Sequence, residues 1–176
     1  MLIPDRYVIF DLETTGFSPQ YAEIIEIGAV RVINGLIRER FQTYVKPLRR
    51  IPAEITALTG ISETQTRNAP HIEEAFYSFA EFIGNDVLIA HNSSFDCRFL
   101  GAVCGLLGET LDNSVLDSVK IAKAYIKDVP NYKLETLKNH FYINLPSHNA
   151  LDDCVVTYNV VEHCRRKHNE KINGGN

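Results

Sequence analysis

Hydrophobic and polar positions in the first part of the chain fall into runs that are typical of strands. Tyr7–Phe10 is an aromatic and β-branched run, as expected of a strand buried on both faces. Residues 22–33 form a second β-prone run, Asn34-Gly35 suits a type I′ hairpin, and residues 36–45 resume the alternation. The pattern therefore predicts an antiparallel meander of three strands.

The rest of the chain alternates between helical and strand patterns. Helices are predicted over 53–58, 71–83, 95–107, from 117 or 118 to 126, over 134–141 and over 149–166, and short strands over 87–90 and 114–116. The apolar residues of 71–83 recur at helical spacing, and Gly60 stands where a helix ends in a left-handed cap. A meander followed by this alternation predicts an α/β fold with a mixed five-stranded sheet flanked by helices.

Length and composition indicate one globular domain. The 176 residues suit a single core, and 45% hydrophobic with 23% charged residues is the ordinary range for such a domain. We expect the domain to span residues 1–168 and residues 169–176, which are charged and then glycine-rich, to form a disordered tail. No apolar run approaches the ~20 residues of a membrane span, so we expect no membrane association.

The start of the chain and its cysteines indicate where the protein works. The first residues lack the basic and apolar regions of a secretory signal, so we do not expect secretion. The four cysteines form no Cys-x-x-Cys pair and fall in apolar helical patterns, which is typical of reduced thiols rather than of disulfides or a zinc site. A cytoplasmic location is therefore predicted.

The net charge limits the kind of nucleic-acid partner. It is −4, from 18 basic and 22 acidic residues, which argues against a protein that coats duplex nucleic acid. The same charge is compatible with an enzyme that holds one strand end through metal ions.

The first strand ends in two acids where an apolar residue would be ordinary. Asp11 and Glu13 share one face of the strand because strand side chains alternate between faces. Two carboxylates this close raise each other's pKa unless a cation lies between them, and oxygen ligands suit Mg²⁺ or Mn²⁺. The alternative is a strand that ends in a solvated acidic turn.

Two further stretches carry candidate residues. Asp96 lies in the first turn of a helix that follows a buried strand, where the helix dipole alone would also favour an acid. Asn149 is a good N-cap, and Asp152 three residues later completes a pattern that resembles a capping box. Asp153 then faces away from Asp152, and His148 on the preceding loop is a candidate general base beside a metal.

These residues carry a family resemblance. Asp11–Gly16 resembles the first motif of the DEDDh 3′–5′ exonucleases, the family of the bacterial DNA polymerase III proofreading (epsilon) subunit. Ala90–Asp96 resembles the second motif, and His148–Asp153 matches the third, His-x-Ala-x-x-Asp. Residues 51–62 are also similar to the family, and the resemblance runs over residues 7–163.

The resemblance implies a ribonuclease H-like fold and the stepwise release of nucleoside 5′-monophosphates from a free 3′ end. It implies two divalent cations, Mg²⁺ or Mn²⁺, a single-stranded or frayed DNA end as substrate, and a role in proofreading or repair beside a DNA polymerase subunit. By residue, it implies metal ligands at Asp11, Glu13, Asp96 and Asp153, a general base at His148, and substrate contacts at Leu12, Thr14, Thr15, Leu58 and Ile61.

Three alternatives remain open from the sequence. The substrate contacts just named are also explained by core or turn packing. RNA could replace DNA as substrate, because the preference depends on contacts to the 2′-hydroxyl that a sequence does not reveal. The third alternative is a non-catalytic module that binds nucleic acid or a polymerase. Such a module would be free to lose the four acids and His148, and the presence of all five residues argues against it.

Overall fold

A mixed sheet organises the computed structural model, which describes residues 3–173. Its strands are β1 (Arg6–Thr14), β2 (Ile24–Ile33), β3 (Leu36–Tyr44), β4 (Val87–Ala90) and β5 (Val115–Asp117). The strand order is β3-β2-β1-β4-β5, with antiparallel pairing among the first three strands and parallel pairing of β1 with β4 and of β4 with β5. The predicted meander and the predicted mixed five-stranded sheet are confirmed.

Helices follow the predicted positions closely. They are α1 (Ala53–Thr59), α2 (Glu63–Thr66), α3 (Ile72–Ile83), α4 (Ser94–Leu107), α5 (Ser118–Tyr125), α6 (Leu134–His140) and α7 (Ala150–Asn173). Gly60 ends α1 with a φ of 73°, the left-handed cap expected of it. The short α2 was not predicted, although Ser62 and Gln65 form the capping box that could have revealed it. None of the helices within residues 3–173 is long and apolar enough to cross a membrane.

Alternate side chains of β1 enter two separate cores. Val8, Phe10 and Leu12 pack in a cluster that includes apolar residues of α3 and α4. Tyr7 and Ile9 pack on the other face in a cluster that includes residues of α5, α6 and α7. Because both faces are covered, β1 reads as a continuous apolar run until its acids begin.

The end of α7 corrects one prediction. The helix continues to Asn173, beyond its predicted end at residue 166. Residues 174–176 lie outside the described residues, and the disordered tail stays a prediction. The Tyr125 hydroxyl lies 2.8 Å from Nδ1 of His168, and the ammonium of Lys171 lies 5.4 Å from the centre of the Tyr125 ring. These contacts with α5 stabilise the last turns, which the charged sequence alone does not indicate.

The topology places several chain turns at one edge of the sheet. β1, β4 and β5 run parallel, so their carboxyl ends meet at the same edge. Asp11 and Glu13 lie near that end of β1, and α4 and α5 begin just after β4 and β5. An open α/β sheet binds its ligands outside this edge, which is therefore where a site is expected.

Candidate active site

Three elements bring the predicted acids together. Glu13 and Asp153 are each only 9% exposed, and one ligand atom from each lies within 4.8 Å of a ring nitrogen of the exposed His148. Asp11 lies on the same face of β1 as Glu13, and Asp96, which is 2% exposed, projects from the first turn of α4. The four acids and the histidine predicted as catalytic thus lie at one edge of the sheet.

Burial raises the pKa of each of these carboxyls, and repulsion from the other acids of the site adds to this rise at Asp11 and Glu13. Burial is the largest cause for Asp11, whose pKa is raised well above its usual value, and the charges of Asp96, Asp153 and Glu13 add to it. Burial, then the charge of Asp153, raises the pKa of Glu13 to about 8. Ionisation of these acids is therefore unfavourable unless a cation compensates their charge.

Hydrogen bonds oppose burial at the other two acids. Burial raises the pKa of Asp96 to about 7, against hydrogen bonds from its own backbone and from that of Leu12. Burial likewise raises the pKa of Asp153 to about 6, against the hydrogen bond from the His148 backbone and the positive charge of Lys138. The bond from Leu12 joins β1 to the first turn of α4, so Asp96 is held against the strand that carries Asp11.

The donor set fits divalent cations. No salt bridge within residues 3–173 involves Asp11, Glu13, Asp96 or Asp153. Buried carboxylates without a cationic side chain are costly unless they bind a metal, and hard oxygen ligands suit Mg²⁺ or Mn²⁺. The site therefore has the ligands and the unbalanced charge of a metal centre.

The raised pKa values predict how metal and pH act on stability. These carboxyls have pKa values near 4 in the unfolded chain and of about 6 to 8 in the folded protein. Between about pH 4 and pH 8 the folded state therefore binds more protons than the unfolded state. The contribution of these carboxyls to stability falls as pH rises through this range. A divalent cation would replace those protons. We expect Mn²⁺ to raise the melting temperature more at about pH 8 than at about pH 5.5, measured against EDTA by calorimetry. An equal rise at both values would contradict the assignment of the metal to these acids.

His148 is placed by its backbone. It has a φ of 60°, in the left-handed region, and its N–H donates to Oδ2 of Asp153 at 3.1 Å. Asp152 donates its backbone N–H to Oδ1 of Asn149 at 3.0 Å, which confirms Asn149 as the cap of α7. Within the third motif, Asn149 therefore caps α7 by accepting the backbone N–H of Asp152, and Asp153, the residue after Asp152, faces the site.

Glu26 is a residue of the site whose importance the sequence did not reveal. It pairs with Glu13 across β1 and β2, has no exposed surface, and accepts the backbone N–H of Ala150 at 3.0 Å. Burial raises its pKa, although the bonds from Ala150 and Gln42 oppose the rise. Glu26 therefore connects the sheet to the first turn of α7. A charged residue at the centre of an apolar β-prone run was the signal that could have found it.

The residues predicted to contact substrate along β1 and its turn all have structural partners. Leu12 is only 4% exposed and belongs to the core. The Thr14 hydroxyl donates to the carbonyl of Gly16 at 2.7 Å, and the Thr15 hydroxyl accepts the N–H of Glu23 at 2.8 Å. These contacts account for the three residues as core and turn packing, and a substrate role for them stays a prediction.

The two apolar residues predicted to contact bases differ in exposure. Ile61 is 2% exposed and packs against Ile25 and Ile55, so core packing accounts for it. Leu58 is 50% exposed on α1, so its side chain is accessible to a ligand. Among the three apolar residues predicted to bind substrate, Leu58 is exposed, whereas Leu12 and Ile61 are buried.

His91 has a structural environment. Its ring nitrogens lie 2.8 Å from the Ser118 hydroxyl and 2.9 Å from the carbonyl of Tyr132. Asp117 caps α5 by accepting the N–H of Val119 at 2.9 Å. Both residues stabilise the elements that begin at the edge of the sheet where the site lies.

A family model described as "Exonuclease" matches residues 8–161. The chain belongs to the exonuclease family. This confirms the resemblance drawn from the three motifs, and the observed sheet and helices confirm the ribonuclease H-like fold expected from it.

Individual members of the exonuclease family extend the comparison. The chain is 40% identical over 169 residues to DNA polymerase III PolC-type of Clostridium perfringens, which covers 96% of this chain and 12% of the relative. It is 40% identical over 157 residues to a DNA polymerase III subunit epsilon-like protein of Rhodobacter capsulatus. This match covers 86% of this chain and 22% of the relative. The chain thus spans only a small part of these curated relatives.

A solved exonuclease superposes on almost the whole chain. The structure of Exonuclease X in complex with 5′-overhanging duplex DNA matches with a TM-score of 0.76 and 25% sequence identity, and the match covers 93% of both chains. The described residues therefore share the fold of a known exonuclease.

Proposed function

We propose that this chain is a metal-dependent 3′–5′ exonuclease that releases nucleoside 5′-monophosphates from single-stranded or frayed DNA ends. The observation that carries the proposal is the convergence of Glu13, His148 and Asp153, with ligand atoms within 4.8 Å of one another, beside Asp11. Buried acids that repel one another do not stabilise the fold. A hydrolytic site, in contrast, needs the negative charge of several carboxylates to hold cations.

The carboxylates and the histidine have separate roles in this proposal. Asp11, Glu13, Asp96 and Asp153 would hold two divalent cations, Mg²⁺ or Mn²⁺. When bound, such cations promote deprotonation of the attacking water and neutralise charge on the departing oxygen. The acids contribute by presenting several oxygen ligands from β1, α4 and α7 in one place.

His148 takes the proton of the attacking water. Its exposed ring lies next to Glu13 and Asp153, so it can reach a water at the site and return the proton to solvent. The water oxygen bonds to phosphorus, and the bond from phosphorus to the 3′-oxygen breaks. That oxygen stays on the shortened strand and takes up a proton from solvent to become the new 3′-hydroxyl. The products are a nucleoside 5′-monophosphate and a strand one nucleotide shorter.

Names of relatives support DNA as the substrate and a polymerase as partner. Two relatives at 40% identity are named as DNA polymerase III proteins, and the superposed Exonuclease X was solved with DNA. We therefore place this chain with proofreading or repair enzymes that act with a DNA polymerase subunit, and the predicted cytoplasmic location agrees with that role. RNA stays the alternative substrate, because the preference depends on contacts to the 2′-hydroxyl.

Cleavage of matched oligomers tests the proposal. We expect 5′-labelled single-stranded DNA to shorten stepwise from its 3′ end with Mg²⁺ or Mn²⁺ and to stay intact with EDTA. An RNA oligomer of the same sequence should shorten more slowly, and a faster RNA ladder would make RNA the substrate. Intact oligomers under every condition, with His148→Ala alongside as an inactive standard, would favour a non-catalytic binding module.

A further inference from the structure

The base loop, Ile143–Asn149, joins α6 to α7 and carries His148. The loop has no regular secondary structure, and His148 within it has a φ of 60°. A residue other than glycine stays in the left-handed region only when its surroundings hold it there. The contacts of the base loop should therefore show what holds His148 in place.

Lys138 holds the base loop from α6. It is only 8% exposed, and its ammonium donates to the carbonyl of Leu145 at 3.2 Å and to the hydroxyl of Ser147. Glu135 completes the contact, because its Oε2 lies 2.9 Å from Nζ of Lys138 and accepts the Ser147 hydroxyl at 2.5 Å. The three donor positions of this ammonium are thus directed at protein groups, two of them on the base loop.

Glu26 holds the other end of the base loop from the sheet. Its Oε2 accepts the N–H of Ala150, and its Oε1 lies 3.4 Å from the Asn149 side-chain nitrogen and 2.6 Å from that of Gln42. The N-terminus of α7 is also packed tightly on the sheet, since a Cβ at Gly28 would lie 2.4 Å from the backbone of Ala150. The residues on either side of His148 are therefore each fixed to a rigid element.

We propose that Lys138 and Glu26 are positioning residues that hold the base loop from α6 and from the sheet, so that His148 is placed for proton transfer before substrate arrives. The proposal rests on the role of His148 in the proposed function. Lys138 contacts the base loop at Leu145 and Ser147, and its positive charge also acts on Asp153. Glu26 also holds the first turn of α7, and it therefore positions Asp153 as well as His148.

A charge-neutral variant tests the contact from α6. Ser147→Ala removes the hydroxyl between Lys138 and Glu135, and Lys138→Met removes the donor itself. We expect either change to lower kcat roughly ten- to a hundred-fold, the effect of a displaced catalytic group. KM and Mn²⁺ affinity should stay unchanged in Ser147→Ala, because this variant keeps the positive charge of Lys138 near Asp153. Thr136→Val is the matched control and should keep the wild-type rate. It removes a hydroxyl of α6 that bonds to Asn131, which precedes the helix.

A double-mutant cycle separates positioning from general stability. Ser147→Ala should cost nothing further in a His148→Ala background, because the group that it positions is already absent. A merely structural role would lower the rate in both backgrounds, and that result would overturn the proposal for Lys138.

Glu26 is expected to behave differently. Glu26→Ala should lower Mn²⁺ affinity as well as kcat, and its effect on kcat should persist in the His148→Ala background, because Asp153 is still displaced. Glu26→Gln keeps an acceptor oxygen for Ala150 and should recover part of the rate. Unchanged Mn²⁺ affinity in a folded Glu26→Ala protein would overturn the assignment of Glu26.

Hydrogen exchange gives a readout that does not depend on cleavage. We expect the backbone amides of residues 143–145 and 147–149 to exchange faster in Ser147→Ala than in the wild type, with exchange in β1 unchanged. If the wild type cleaves no oligomer, the proposed function fails while this measurement still tests the anchoring of the base loop. Equal exchange in both proteins would contradict that anchoring.

Discussion

Asp11→Asn is expected to lower the rate of cleavage by about 10³-fold or more while the protein stays folded. Asp11 is the acid whose pKa responds to the charges of Asp96, Asp153, Glu13 and Glu26 together, so it lies at the centre of the cluster. Metal ions supply several kcal/mol to such reactions, and about 1.4 kcal/mol corresponds to a tenfold change in rate. Single-turnover cleavage of a labelled DNA oligomer measures the loss.

The same variant should be more stable than the wild type without metal. Removing the charge of Asp11 relieves repulsion among buried carboxylates, so the melting temperature in EDTA at about pH 8 should rise, and the rise produced by Mn²⁺ should shrink. Asp152→Asn is the matched control, because Asp152 lies beside Asp153 in sequence but its backbone N–H serves the cap of α7. A variant that unfolds, or one that cleaves normally, would exclude Asp11 as the central ligand.

His148→Ala is expected to reduce turnover by roughly 10²–10⁴-fold, the usual contribution of a general base. Its fold should be unaffected because the ring is exposed, and the bond to Asp153 comes from the backbone N–H, which alanine retains. His140→Ala, at an exposed position of α6, should leave the rate unchanged.

Metal affinity decides between two roles for His148. Its ring lies close enough to Glu13 and Asp153 to act as a ligand, whereas the motif resemblance makes it a base. Calorimetric titration with Mn²⁺ should give the same affinity for His148→Ala as for the wild type. A large loss of affinity would make His148 a metal ligand, and an unchanged rate would remove it from the mechanism.

Much of the fold could be predicted because local patterns and tertiary contacts agree. The runs of β1 and β2 and the Asn34-Gly35 turn predicted the meander, since a hairpin needs little beyond its own residues. The apolar spacing of α3 likewise matches the face that it buries. The end of α7 was predicted too early because its last turns depend on Tyr125, which is distant in sequence.

Some residues of the candidate site could be predicted from the sequence, and others could not. Asp11, Glu13, Asp96, His148 and Asp153 were all predicted from short motifs, because a metal site needs several acids, and acids at the ends of apolar elements are conspicuous. Their catalytic and metal-binding roles stay predictions. Glu26 and Lys138 were not predicted, because their partners lie in other elements: Ala150 for Glu26, and the base loop for Lys138.

The sequence by itself determined which elements form and which side chains can carry the chemistry, because strand and helix periodicity and residue type are local properties. Only the tertiary structure decided that Ile61 is buried while Leu58 is accessible, and that buried groups of β2 and α6 hold the loop of the candidate base. Burial and hydrogen bonding between distant residues depend on how the elements pack, and no local pattern contains that information.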